Sequence, residues 1–169
     1  MKQSSKKKKI KIKDIQNVNK LSRQNKTRHG IPNNKYNPHA WIINDPEIGE
    51  GTWIGAFTII DGIGGLKIGK YCDISCGVHI ITHSTVRRCV TERKYEKLDK
   101  SRTIIEDYVF IGENATILKG VGIGNHSIIA AGTVVKEGMI IPPYSLVAGV
   151  PGKLVRNIKN EVKKWTRKK

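Results

Sequence analysis

Five histidines are the side chains of this 169-residue sequence best suited to moving a proton near neutral pH, and His83 has the most informative setting. It stands in Ile81-Thr82-His83-Ser84, where an aliphatic stretch gives way to a long polar, charged one, THSTVRRCVTERKYEKLDKSRT. A neutral imidazole at such a junction can take the proton from an attacking hydroxyl or amine. His79 and His126 suggest a second chemistry, zinc binding, which needs three converging histidines. Their separate surroundings in the sequence do not reproduce a zinc spacing. The three cysteines, Cys72, Cys76 and Cys89, are odd in number and lack the spacing of a disulfide framework. Neither a covalent staple nor a nucleophile is expected of them.

The elements that must position His83 are visible as a repeat. Aliphatic residues fall at Ile48, Ile54 and Ile60, again at Ile68, Ile74 and Ile80, and then at Ile105, Ile111, Ile117, Ile123, Ile129 and Val135. Within each series the step is six, which neither a helical period near 3.6 nor strand alternation produces. Gly follows the aliphatic residue at Gly49, Gly55, Gly69, Gly112 and Gly124. Gly or Asn stands three places on at Gly51, Gly77, Asn114, Gly120 and Gly132, where a sharp corner demands positive φ. The side chain four places on is small in every hexad, from Thr52 to Thr133.

Each hexapeptide therefore reads as a short strand and a corner, and three make one triangular coil. Twelve hexads give four coils, and stacked coils bury a continuous aliphatic core. Taking three faces in order predicts three inward columns: Ile48, Ile68, Ile105, Ile123; Ile54, Ile74, Ile111, Ile129; and Ile60, Ile80, Ile117, Val135. The hexad breaks twice. The step from Ile60 to Ile68 is eight, and that from Ile80 to Ile105 is 25. Both breaks leave the same column, one coil apart, so Asp61 and His83 fall on one edge. Long excursions from a compact repeat are usually functional or disordered.

This pattern, together with LVAGVPGKLVR at 146–156, resembles the hexapeptide-repeat acyltransferases, in particular their sugar O-/N-acetyltransferase branch, over about residues 45–157. The resemblance implies an all-β fold, a left-handed parallel β-helix that departs from the usual right-handed crossover. A protruding loop at 84–103 and a short C-terminal α-helix complete it. The implied activity is transfer of an acetyl group from acetyl-CoA to a hydroxyl or amino group of a sugar, free or nucleotide-linked. The implied assembly is a homotrimer with its sites between neighbouring helices. Ile81-Thr82-His83-Ser84 is similar to the branch's catalytic-histidine segment, and Ile60-Asp61-Gly62 to its acceptor-binding Asp segment. The resemblance thus makes His83 the general base and Asp61 an acceptor contact. Lys153 and Arg156 match the basic residues that approach the coenzyme A phosphates, and Ala131 the small residue along which the pantetheine arm lies. Relatives carry a Thr-Lys pair after this coil. Here Val135-Lys136-Glu137-Gly138 offers Lys136 in that place, next to an unexpected carboxylate, and a longer loop is expected to run to Pro142-Pro143.

The net charge of +17 is unevenly spread. Residues 1–40 hold 12 Lys/Arg and one acid, residues 153–169 hold eight and one, and residues 41–152 hold 11 against 12 acids. The expected organisation is a basic N-terminal arm (1–40), a near-neutral β-helix acyltransferase domain (41–152) and a basic C-terminal helix (153–169), whose apolar Ile158, Val162 and Trp165 would lie against the body. Basic arms attract polyanions, but no aromatic residue occurs among residues 1–35 to stack on bases, so nucleic acid is not the expected partner. The basic start runs into KIKIKDIQNV rather than an apolar segment, and no run approaches a membrane span, so a cytoplasmic, soluble protein without a membrane partner is expected. Two other readings stay open at this point: a metal site of the γ-carbonic-anhydrase kind, and a non-catalytic scaffold with basic nucleic-acid-binding arms.

Overall fold

The computed structural model describes residues 34–167, so the basic arm read over 1–40 lies outside the described residues as far as position 33. From Trp41 onward the six-residue step becomes a three-sided parallel β-solenoid. Its first face holds the strands Trp41–Ile43, Ile59–Asp61, His79–Ile80, Thr116–Ile117 and Val134–Val135. The second holds Glu47–Ile48, Leu66–Ile68, Thr103–Ile105, Gly122–Ile123 and Ile140–Ile141. The third holds Trp53–Ile54, Asp73–Ile74, Phe110–Ile111, Ile128–Ile129 and Ser145–Ala148. The register lays aliphatic on aliphatic: Ile42, Ile60, Ile80, Ile117 and Val135 on the first face; Ile48, Ile68, Ile105, Ile123 and Ile141 on the second; Ile54, Ile74, Ile111, Ile129 and Val147 on the third.

The three predicted columns are therefore present, each with one further rung. There are five coils, where the sequence reading expects four. The difference lies at both ends: Ile42 precedes the first expected rung of its face, and the stretch expected as a loop to Pro142-Pro143 is part of a coil that adds Ile141 and Val147. Ile141 and Val147 keep the step of six from Val135 and are buried, so Pro142-Pro143 occupies a corner of the fifth coil rather than an irregular excursion. Proline has no N–H to leave unpaired at such a corner. Burying each of these isoleucines stabilises the fold by about 1.5–3 kcal/mol, and the stack is continuous because each coil covers the last.

The C-terminal segment also departs from expectation. Residues 153–169 are not one helix. Lys153–Asn157 turns back as an antiparallel strand on Ser145–Ala148, pairing the open edge of the third face, and the helix Lys159–Arg167 follows. The Asn157 side chain accepts the Lys159 N–H at 2.9 Å, satisfying one of the helix's unpaired N-terminal donors. Ile158 is the residue that docks into the body; within the helix no side chain is buried, and Trp165 is 59% exposed.

Candidate active site

The corner after the first face carries both insertions, and the structure bonds them to each other. In the second coil the chain passes through Gly62-Ile63-Gly64-Gly65 before the strand Leu66–Ile68. In the third coil it leaves as an antiparallel hairpin, His83–Ser84 against Asp99–Lys100, with the short helix Val86–Val90 between them. Thr82 joins the two. Its hydroxyl accepts the Gly64 N–H at 2.8 Å, and its carbonyl accepts the Ser101 N–H at 3.1 Å. Gly64 must be glycine for this contact, because a Cβ there would stand 2.0 Å from the Thr82 carbonyl oxygen. Thr82 is fully buried, whereas the repeat places the small inward slot of this hexad at Ser84. The hairpin starts at His83, so Ser84 lies on it instead.

Asp61 and His83 meet at this root. Asp61 is 0% exposed. Its Oδ1 accepts the Ile63 N–H at 2.8 Å, and its Oδ2 accepts the Thr82 N–H at 2.8 Å and faces His83 Nδ1 at 2.6 Å. The Thr82 hydroxyl lies 3.1 Å from the same oxygen. Burial alone would raise the Asp61 pKa, but the Ile63 and Thr82 amides and the neighbouring imidazole outweigh it and hold the carboxyl below its ordinary value. An ionised carboxylate only accepts, so Nδ1–H of His83 is the donor, and in the neutral ring it is Nε2 that carries the lone pair. This differs from the expectation for Asp61. A residue with no exposed surface and both oxygens engaged cannot offer a carboxylate to an acceptor; it is placed to orient His83. The His83 side chain keeps 25% of its surface, so the ring is reachable.

Above the hairpin, toward the C-terminal coils, a recess of about 860 Å³ runs between Ser84, Val90, Tyr95 and Asp99 on one side and Lys119 and Glu137 on the other. His83 itself does not line it; its imidazole lies on the coil-two side of the hairpin, toward Asp61. A second groove of about 430 Å³ runs between Lys136, Glu137, Met139 and Gly152, Lys153, Leu154. The two share Glu137, whose carboxylate pairs with Lys119, so the unexpected charge is neutralised within the chain. Of the expected cofactor residues, Lys136 and Lys153 thus come together. Arg156 does not join them: it pairs across to Leu146 on the third face, and its Nε is 3.2 Å from Glu161. Ala131 lies on the other edge of the first face, exposed, above Gly112, whose added Cβ would meet the Ala131 nitrogen at 2.5 Å.

The other histidines are accounted for differently. His126 occupies the corner between the second and third faces, stacked between Tyr108 at 4.9 Å and Tyr144 at 4.8 Å, with Tyr71 beyond Tyr108 at 5.7 Å. All four residues have positive φ, between 52° and 59°, and the continuous ring ladder offsets that backbone cost. His79 is exposed on the first face. His79, His83 and His126 therefore point from three places on the solenoid, and among the described residues no three His, Cys, Asp or Glu side chains are grouped as metal ligands. Replacing His126 with Ala is expected to leave turnover nearly unchanged while lowering the melting temperature. Two stacked pairs, each worth about 0.5–1.5 kcal/mol beyond burial, would be lost. Differential scanning fluorimetry beside an activity assay checks both halves.

Comparison with known proteins agrees with this architecture. Residues 102–137 match the bacterial transferase hexapeptide (six repeats) family. The chain is 45% identical over 71 residues to a 2,3,4,5-tetrahydropyridine-2,6-dicarboxylate N-acetyltransferase of Clostridium perfringens, covering 42% of this chain and 29% of that protein. It is 38% identical over 68 residues to a putative lipopolysaccharide biosynthesis O-acetyl transferase of Escherichia coli, covering 40% of this chain and 34% of that one. Among solved structures, a hexapeptide-repeat-containing acetyltransferase of Vibrio cholerae, complexed with acetyl-CoA, superposes with a TM-score of 0.57 at 34% identity, covering 66% of this chain and 60% of that one. The chain spans about a third of the length of these two curated relatives. The hexapeptide repeat of that family is present over residues 102–137, and the fold is the left-handed parallel β-helix of the hexapeptide-repeat acetyltransferases to which the chain is similar.

Proposed function

We propose that this protein transfers an acetyl group from acetyl-CoA to a hydroxyl or amino group of a sugar, free or nucleotide-linked, with His83 as general base. The observation that carries this reading is the contact between His83 Nδ1–H and the buried Asp61 carboxylate at the root of the protruding hairpin. It orients the ring so that, in the neutral imidazole, Nε2 is the basic nitrogen, on a side chain that keeps 25% of its surface. In the reaction the acceptor oxygen or nitrogen bonds to the thioester carbonyl carbon and loses its proton to Nε2. The tetrahedral intermediate then collapses with cleavage of the carbon–sulfur bond, and the proton passes to the departing thiolate. Backbone N–H groups supply the oxyanion contacts. The relatives support this class: one is an N-acetyltransferase of a dicarboxylate, another is a putative O-acetyl transferase of lipopolysaccharide biosynthesis, and the Vibrio cholerae protein was solved with acetyl-CoA.

In this reading the phosphates of the co-substrate lie at the groove lined by Lys136 and Lys153, which act as point charges, and its thioester end reaches the side of the hairpin that carries His83. Ala131 is separated from these lysines by the width of the first face. It reaches the same co-substrate only if a neighbouring copy presents that edge, and a cyclic trimer does so three times. Sedimentation equilibrium should therefore give the mass of three chains; a stable monomer at assay concentration would remove this part of the reading. The activity itself is tested by mass spectrometry of a panel of sugars, sugar phosphates and nucleotide sugars incubated with acetyl-CoA. Gain of one acetyl group by at least one member is the expected result, and no acetylated product across the panel would overturn the proposal.

A further inference from the structure

Every polar group of Thr82 is engaged at the root of the hairpin, and its partners are more than a tie between two loops requires. Its carbonyl accepts the Ser101 N–H at 3.1 Å, and its hydroxyl accepts the Gly64 N–H at 2.8 Å. Those two bonds alone would join the insertions. The donors of Thr82 both go to Asp61. Its N–H reaches Oδ2 at 2.8 Å, and its hydroxyl lies 2.9 Å from the Asp61 backbone carbonyl and 3.1 Å from Oδ2. A hydroxyl carries one proton and two lone pairs. The two acceptor sites of Oδ2 are already met by the Thr82 N–H and by Nδ1–H of His83 at 2.6 Å, so the hydroxyl proton goes to the nearer Asp61 carbonyl. Thr82 thus holds Asp61 by its main chain and by its carboxylate at once, while the Ile63 N–H at 2.8 Å fixes the other carboxylate oxygen. Thr82 and Asp61 both have 0% exposure, so bulk water does not stand in for these bonds.

Resting on the reading of His83 as general base, we infer that Thr82 is a positioning residue for the transfer: its hydroxyl holds Asp61 where the carboxylate meets Nδ1, and so keeps Nε2 the basic nitrogen of the neutral ring. Thr82 does not touch the reacting atoms; it acts through Asp61. Without the hydroxyl, the Asp61 carbonyl and the Gly64 N–H lose their common partner, and the backbone amide of residue 82 alone joins Asp61 to the hairpin. A carboxylate that drifts from Nδ1 no longer selects the Nδ1–H tautomer, because the hydrogen bond on one ring nitrogen decides which nitrogen is free.

The test compares Thr82→Ala with Thr82→Ser, which differ only by the hydroxyl, in the full chain labelled with heavy nitrogen. Long-range proton–nitrogen correlation spectra of the imidazoles, recorded above about pH 8 where the rings are neutral, report the tautomer of each histidine. Wild type and Thr82→Ser should show His83 as the Nδ1–H form. In Thr82→Ala the ratio of Nδ1–H to Nε2–H should fall about tenfold, as for loss of one buried hydrogen bond, while His126 stays unchanged. In turnover, kcat should fall about tenfold in Thr82→Ala with the KM for acetyl-CoA unchanged, and Thr82→Ser should recover most of it. Should Thr82→Ala fail to fold, Thr82→Val, which fills the slot without the hydroxyl, carries the same expectation. A folded Thr82→Ala with the wild-type tautomer ratio, or a Thr82→Ser no better than Thr82→Ala, would overturn the inference and leave Thr82 a tie between loops. Failure of the acetyl-transfer reading shows separately, as absence of acetylated product from the wild type whatever the tautomer of His83.

Discussion

Replacing His83 with Ala is expected to lower kcat by about 10²–10⁴, with little change in the affinity for acetyl-CoA. The proposed cofactor contacts, Lys136 and Lys153, lie in a groove that His83 does not line. The fold should survive, because the side chain is partly exposed at a corner and lies outside the aliphatic columns. Its removal does strand one oxygen of Asp61, which then keeps the Thr82 amide and hydroxyl. Steady-state kinetics with saturating acetyl-CoA, together with titration of the cofactor by calorimetry, separates the two effects. For an amine acceptor the loss should fall at the lower end of the range, since a neutral amine attacks without prior deprotonation.

Asp61→Asn is expected to have the second-largest effect, and it acts on both rate and stability. The amide is nearly isosteric but carries one donor and one acceptor where the carboxylate accepts on both oxygens. One of the Ile63 and Thr82 amides would face an NH2 group, or His83 would have to turn its lone pair toward the new side-chain amide and lose the tautomer that leaves Nε2 basic. A fall in kcat of about 10²-fold or more follows. Stability should also change its pH dependence. In the folded chain the Asp61 carboxyl is held below its ordinary value of 3.8. Its contribution is therefore fully present above the unfolded value and is lost as pH falls through the folded one. Wild type should show an acid limb of destabilisation below about pH 4, and in Asp61→Asn that limb should be shallower, while stability near neutrality is lower. Thermal unfolding followed across a range of about pH 3–7 would show the two curves converging toward the acid end; parallel curves would mean that Asp61 does not carry this linkage.

Much of the scaffold is legible in the sequence because its signal is redundant. A step of six repeated through a dozen hexads leaves little freedom about which side chains point inward, and the columns through Ile68, Ile74 and Ile80 are those of the structure. The fifth coil is hidden where the local chemistry imitates a loop: Lys136-Glu137-Gly138 and Pro142-Pro143 dilute the pattern, although Ile141 and Val147 keep the step. The C-terminal strand is hidden because pairing Lys153–Asn157 to an open sheet edge is a tertiary event with no period of its own.

The site is legible to a lesser depth. Two insertions on one column put Asp61 and His83 on one edge, and that is where they stand. What the carboxylate faces cannot be read from the repeat, because it depends on the buried Thr82 that ties the insertions together. Lys153 and Arg156 look equivalent in LVAGVPGKLVR. The antiparallel turn-back separates them, sending Lys153 to the groove and Arg156 to Glu161.

The central claim, acetyl transfer with His83 as its base, is met most directly by a thioester-release assay on the wild type and on His83→Ala, each confirmed as folded and at the same assembly state. Free thiol is followed after mixing with acetyl-CoA and the acceptor panel. The account predicts acceptor-dependent release by the wild type and a loss of about 10²–10⁴ in the variant, which should still bind acetyl-CoA. Release that does not depend on any acceptor, or a variant that turns over at the wild-type rate, would contradict it.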